Sequence, residues 1–215
     1  MSTSTRWTIA VLVVVVALGV ALWAQLGDTG SPTGSIGPSQ ARDRRDADSA
    51  DALAGPRARA DLSPCPGAGT EPGPGQLHGI TLECAGDGTP VDVAEAVAGR
   101  PTVLNLWAYW CAPCAEELPA MAEYQRRAGP GVTVLTVHQD ENEVAALLRL
   151  AELGVRLPTL QDGRRLVAAA LRVPNVMPAT VVLRADGSVA AVLPRSFASA
   201  DEIATAVDPK IGASG

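Results

Sequence analysis

The chain has 215 residues, 47% of them hydrophobic but only 3% aromatic, so its core must be built from Val, Leu and Ala. That suffices for one α/β domain of ordinary size with some chain left over. The net charge is −6, and no basic cluster is interleaved with aromatic platforms, which argues against nucleic acid as a partner.

The leftover lies at the N-terminus. After residues 1–6, Trp7 to Leu26 carries no charge and is long enough as a helix to cross about 30 Å of hydrocarbon. This stretch is read as a transmembrane anchor, with Trp7 and Trp23 near its two interfaces. A cleaved signal peptide is the rival reading, but the apolar run exceeds the usual roughly 7–15 residues and no clean small-x-small site follows it. Charge gives little help with orientation, because Arg6 precedes the span while Arg42, Arg44 and Arg45 follow it among acidic residues. Residues 27–62 are rich in Gly, Pro, Ser, Asp, Arg and Ala and read as a flexible linker spanning roughly 30–35 Å.

A domain is expected over residues 63–208, with a tail at 209–215. It opens with a Pro- and Gly-rich lead-in and a short strand at Gly79–Leu82, flanked by Cys65 and Cys84. A helical turn is expected within Val91–Gly99. Thr102–Ala108 is a continuous apolar run of the kind buried on both faces of a largely parallel sheet. A helix begins at Ala112 and stops at Gly129-Pro130, with a kink expected at Pro119. A second core strand at Gly131–Val137 precedes an amphipathic helix over Asn142–Leu153. A short extended segment at Thr159-Leu160 and a helix at Arg164–Leu171 come next. Val176–Leu183 and Ser188–Leu193 form a hairpin around Ala185-Asp186-Gly187, and Ala200–Val207 closes the domain as a helix. The pattern is a mixed-sheet α/β fold.

Trp110-Cys111-Ala112-Pro113-Cys114 lies between the first core strand and its helix. A C-x-x-C pair in that context is the arrangement of a reversible dithiol/disulfide couple. Amides at the helix start favour a thiolate on Cys111, lowering its pKa from about 8.5 into a range of roughly 3.5–7.5. Two alternatives remain: half of a zinc site, for which no second close Cys/His pair is visible, and a plain structural disulfide. His78 and His138 sit in unrelated segments, and His138 reads as a polar residue at a strand end. Four cysteines allow three connectivities; the local pair should close on itself, leaving Cys65–Cys84 as a structural bond that would stabilise the domain by about 3 kcal/mol. A second electron relay through Cys65 and Cys84 is the other reading. A second disulfide persists only in an oxidising compartment, which places the domain on the extracytoplasmic side.

Leu106-Trp107-Ala108-Tyr109-Trp110-Cys111-Ala112-Pro113-Cys114, with Glu116-Glu117-Leu118-Pro119 after it and Met177-Pro178 before the hairpin, resembles the thioredoxin fold. More narrowly it resembles the membrane-anchored TlpA/ResA-like, CcmG-related group of actinobacterial type, over roughly residues 63–208. The resemblance implies a cis Met177–Pro178 bond packed against the active disulfide, where the Met177 backbone pairs with an extended partner. Trp110 and Pro113 complete that implied substrate-binding surface. Ordinary thioredoxins carry a carboxylate six residues before the first active cysteine; here that residue is Asn105. In the ResA-like group a glutamate six residues after that cysteine lies beneath the disulfide, which implies that Glu117 exchanges a proton with Cys114.

By the same resemblance, Pro113 before the second cysteine points to a protein-disulfide reductase, with no cofactor and no metal. Its electrons would come from a transmembrane thiol carrier of the CcdA/DsbD kind. Its partners would be protein disulfides, such as apocytochrome c cysteines in cytochrome c maturation or copper-site cysteines of oxidase assembly proteins. Alternatives are a disulfide-forming oxidase or isomerase, and a Cu(I) chaperone using Cys111, Cys114 and Met177 as soft ligands.

Overall fold

A computed structural model of the protein describes residues 49–69, 71 and 73–212. The expected span 7–26 and the linker up to residue 48 lie outside them; among the described residues no helix is long and apolar enough to cross a membrane.

The expected α/β fold is present as a seven-stranded mixed sheet of order β2-β1-β5-β4-β3-β6-β7. The strands are β1 Thr81–Cys84, β2 Pro90–Asp92, β3 Thr102–Trp107, β4 Thr133–His138, β5 Thr159–Gln161, β6 Ala179–Leu183 and β7 Val189–Leu193. Among the described residues six α-helices accompany them: α1 Ala50–Ala60, α2 Val93–Val97, α3 Ala112–Ala128, α4 Glu143–Leu153, α5 Leu166–Ala170 and α6 Ala200–Ile211. The central strand β3 runs parallel to β4 and antiparallel to β6, and all six of its residues are buried.

Alternation along β3 builds two cores. Val103 and Trp107 face one side, with Cys114, Leu118 and Met121 of α3 and Ile203 and Val207 of α6. Leu104 and Leu106 face the other, with Val93 and Val97 of α2 and Val167 of α5. The period of two puts Asn105 on the α3 side, between Val103 and Trp107. A polar residue is thereby held under the start of the helix that carries both active cysteines.

Two boundaries differ from expectation. Residues 50–60, read as part of a flexible linker, form α1, capped by Ser49 Oγ accepting from the Ala52 amide at 3.2 Å. Leu53 and Ala60 pack on Ala85 and on Leu147 of α4. Between them Arg57 donates to Glu143 at 3.0 Å, to the Ala85 carbonyl at 3.2 Å and to Glu83. Leu53, Arg57 and Ala60 form an i, i+4, i+7 stripe whose middle member is a cation, so counting apolar residues misses it. At the other end, α6 continues past Val207 to Ile211, beyond the expected boundary at 208. Pro209 lies inside its last turn, and Ile211 packs against the α3-side core.

The sequence also left β2 unassigned and ended β1 early. Thr81–Glu83 pair with Pro90–Asp92, pairing of Glu83 and Cys84 with Gln161 and Leu160 of β5 carries β1 to Cys84, and the Cys65–Cys84 disulfide fastens the lead-in there, with Cα atoms 6.0 Å apart. α3 runs through Pro119 as one helix.

Candidate active site

Cys111 is the N-cap of α3, with extended backbone (φ −81°, ψ 103°), and its Sγ accepts from the Cys114 amide at 3.3 Å. The two cysteines are joined, with Cα atoms 5.3 Å apart. Cys111 is 6% exposed and Cys114 fully buried, so a partner can reach only the first sulfur. Pro113 lies exposed in the first turn, where a missing amide hydrogen costs nothing.

One helical turn beyond Cys114, Glu117 is completely buried. Its two oxygens are held separately: Oε2 accepts from Asn105 Nδ2 at 2.8 Å and Oε1 from the Phe197 amide at 3.1 Å. Burial pushes its pKa from 4.5 up to about 7; the two hydrogen bonds, which favour the ionised form, oppose that shift, and Glu202 adds to it. The i, i+3 spacing puts Glu117 beside Cys114 on the buried face of α3. Asn105 and Glu117 are therefore one unit, with the carboxylate supplied by the helix and the amide by the strand.

The loop before Cys111 is braced by His138, the last residue of β4. The Tyr109 amide donates to His138 Nε2 at 3.3 Å, so Nδ1 carries the proton and donates to Gln161 Oε1 at 2.9 Å. Gln161 Nε2 in turn donates to the Asp140 carbonyl at 2.6 Å. Burial holds the imidazole pKa below its usual value, keeping it neutral and able to accept. His138 thus does end a strand, but it also supports the loop two residues from Cys111. The parallel register of β3 and β4, which pairs Trp107 with His138, brings this about.

A groove of about 380 Å³ opens beside Cys111. Trp110 and Met177 line it, together with Val176; Gln139, Arg165 and Asn175, which the sequence did not single out, complete its lining. Trp110 is 58% exposed, and its indole donates to Asp140 Oδ2 at 2.9 Å. The Met177–Pro178 peptide is cis, and Pro178 is buried and lies outside the groove lining. Gln139 was findable, because carboxyl ends of parallel strands share an edge with the active loop. Arg165 has no such signal; it precedes α5 with φ +57°.

The redoxin family model matches residues 68–202. Over 108 residues the chain is 30% identical to the thiol-disulfide oxidoreductase ResA of Bacillus subtilis (strain 168), covering 50% of this chain and 59% of that protein. The chain thus spans well under two thirds of that curated relative. The structure of MTB dsbF in mixed oxidised and reduced forms matches with a TM-score of 0.57 and 27% identity, covering 64% of this chain and 98% of that one. A secreted Mycobacterium tuberculosis disulfide oxidoreductase homologous to E. coli DsbE matches with a TM-score of 0.54 and 26% identity, covering 62% and 97% respectively.

Proposed function

We propose that the chain, which belongs to the redoxin family, is a thiol-disulfide oxidoreductase that reduces protein disulfides outside the cytoplasm. The observation that carries this reading is the Cys111–Cys114 bond at the start of α3, with the titratable Glu117 buried one turn behind it.

In the reduced state, the Cys111 thiolate attacks one sulfur of a partner disulfide. A new S–S bond to Cys111 forms, the partner bond breaks, and the departing thiolate takes a proton. Cys114 then gives its proton to ionised Glu117, attacks Cys111 Sγ and releases the second partner sulfur. The partner gains two electrons, and its two thiolates take protons from solvent; the Cys111/Cys114 pair loses two electrons and the one proton that Cys114 passes to Glu117. With a pKa near 7, Glu117 is poised to accept that proton at neutral pH and return it when a dithiol donor regenerates the pair.

The uncharged run from Trp7 to Leu26 supports a membrane anchor, and the second disulfide supports an oxidising compartment. A reductase there needs electrons from across the membrane, which makes a CcdA/DsbD-type thiol carrier the donor. Cysteines of apocytochrome c or of copper-site assembly proteins are the partners.

The test is the thiol state in growing cells, fixed by acid quenching and read with a mass-shifting alkylating reagent, with Cys111→Ser and Cys65→Ser variants to assign the bands. A largely reduced Cys111/Cys114 pair beside a bonded Cys65–Cys84 is the expected result. A largely oxidised pair would instead make the protein an oxidant of its partners and remove the cytochrome role.

A further inference from the structure

Arg165 lines the same groove as Cys111, and its surroundings are unlike those of the ion-paired arginines elsewhere in the protein. Arg57, Arg126, Arg127, Arg149, Arg156 and Arg195 each face a carboxylate. None of the ion pairs among the described residues includes Arg165. Its Nε donates to Gln139 Oε1 at 3.3 Å and its Nη1 to Asn175 Oδ1, both neutral amide oxygens. A guanidinium has five N–H donors, so three remain beyond these two bonds.

Two acids close to it in the chain or at the groove hold other groups. Asp162 accepts from the amides of Leu166 at 2.8 Å and Val167 at 2.9 Å, which uses both of its oxygens in holding the start of α5. Asp140 accepts the Trp110 indole and the Asn142 amide. Gln139 and Asn175 therefore fix the guanidinium in place without neutralising it, at one side of a groove whose apolar walls are Trp110, Val176 and Met177. An arginine held this way offers a forked, preorganised donor set suited to a carboxylate.

We propose that Arg165 determines substrate preference by pairing with an acidic side chain of the partner polypeptide close to the cysteine that Cys111 attacks. The inference rests on the thiol-disulfide exchange proposed above and names the class of partner that exchange prefers. A segment carrying Asp or Glu beside its cysteine fills the groove with its backbone near Met177 and its carboxylate on Arg165. The chain's overall charge of −6 repels such a partner at long range, so the selectivity is local.

The test uses the reduced full-length protein and three peptide disulfides that are identical except for Glu, Gln or Lys next to the cysteine. A small uncharged disulfide reports the intrinsic reactivity of Cys111. The expected result is a second-order rate constant about three- to tenfold higher for Glu than for Gln, with Lys slowest, shrinking as salt rises. Arg165→Gln brings the Glu-to-Gln ratio to about one, and Arg165→Lys keeps part of it. A guanidinium that served only to support the fold or to lower the Cys111 pKa would slow all peptides alike and leave the ratio intact. Wild-type ratios near one alongside brisk exchange would overturn the carboxylate preference alone. Failure to exchange with any disulfide, the uncharged one included, would overturn the exchange reading and this inference together.

Discussion

The two disulfides of this chain place the same covalent bond in two environments. Cys111 and Cys114 are three residues apart at a helix start, with an amide directed at the first sulfur and a carboxyl group titrating near 7 on the next turn. Cys65 and Cys84 are nineteen residues apart, joining a lead-in to the end of a strand. The Cys84 amide is spent on the Thr89 carbonyl within the β1–β2 hairpin. Among the hydrogen bonds of the described residues, no backbone amide reaches either sulfur of this second pair, and Cys84 is 1% exposed. A helix start, a proton acceptor and a groove suit the first bond to exchange; the second has a long closed loop, which suits it to holding the fold together.

Four experiments press on that contrast. The largest effect expected is from Cys111→Ser, which should abolish exchange with every disulfide. By contrast, Cys65→Ser with Cys84→Ser should keep exchange while lowering stability by about 3 kcal/mol in denaturant titrations. Retained turnover in Cys111→Ser, or lost turnover in the double variant with the fold intact, would erase the distinction.

Glu117→Gln should slow exchange at neutral pH about a hundredfold and flatten its pH dependence around 7. A second readout is stability. Between about pH 4.5 and 7 the native protein keeps a proton on Glu117 that the unfolded chain has released, so wild-type stability falls as pH rises through that window. The loss is on the order of 3 kcal/mol. Chemical denaturation across pH should show that slope in the oxidised wild type and lose it in Glu117→Gln.

Arg57→Ala removes the cation that ties α1 to Glu83, Glu143 and the Ala85 carbonyl beside Cys84. A loss of about 2 kcal/mol is expected, with hydrogen exchange in residues 50–60 accelerated and thiol exchange unaffected. The smallest effect is expected from Tyr124→Phe, which removes a 2.7 Å bond to Asp208 toward the far end of α3. It should cost about 1 kcal/mol and leave the Cys111/Cys114 chemistry unchanged. An altered rate in either variant would show that the active helix feels contacts well away from its N-terminus.

Most of the strand and helix order was legible from the sequence, because Thr102–Ala108, the 142–153 helix and the Asp-Gly hairpin each carry their signal locally. The groove was half legible. Trp110 and Met177 belong to motifs, whereas Gln139, Arg165 and Asn175 come from three separate loops and meet only in space. α1 escaped for a related reason: its stability is tertiary, a stripe completed by an arginine whose partners lie 26 and 86 residues away.

The sequence by itself determined the α/β class and singled out the C-x-x-C pair as the candidate redox couple, since short local motifs need no knowledge of distant contacts; that Cys65 and Cys84 are bonded was one reading of several until the structure joined them. Only the tertiary structure decided that Asn105 would meet Glu117, that His138 would brace the loop before Cys111, and that an un-neutralised arginine would line the groove. The physical reason is that burial and hydrogen bonding depend on which strand edge and which helix face come together. Sheet register fixes that, and no local stretch of residues encodes it alone.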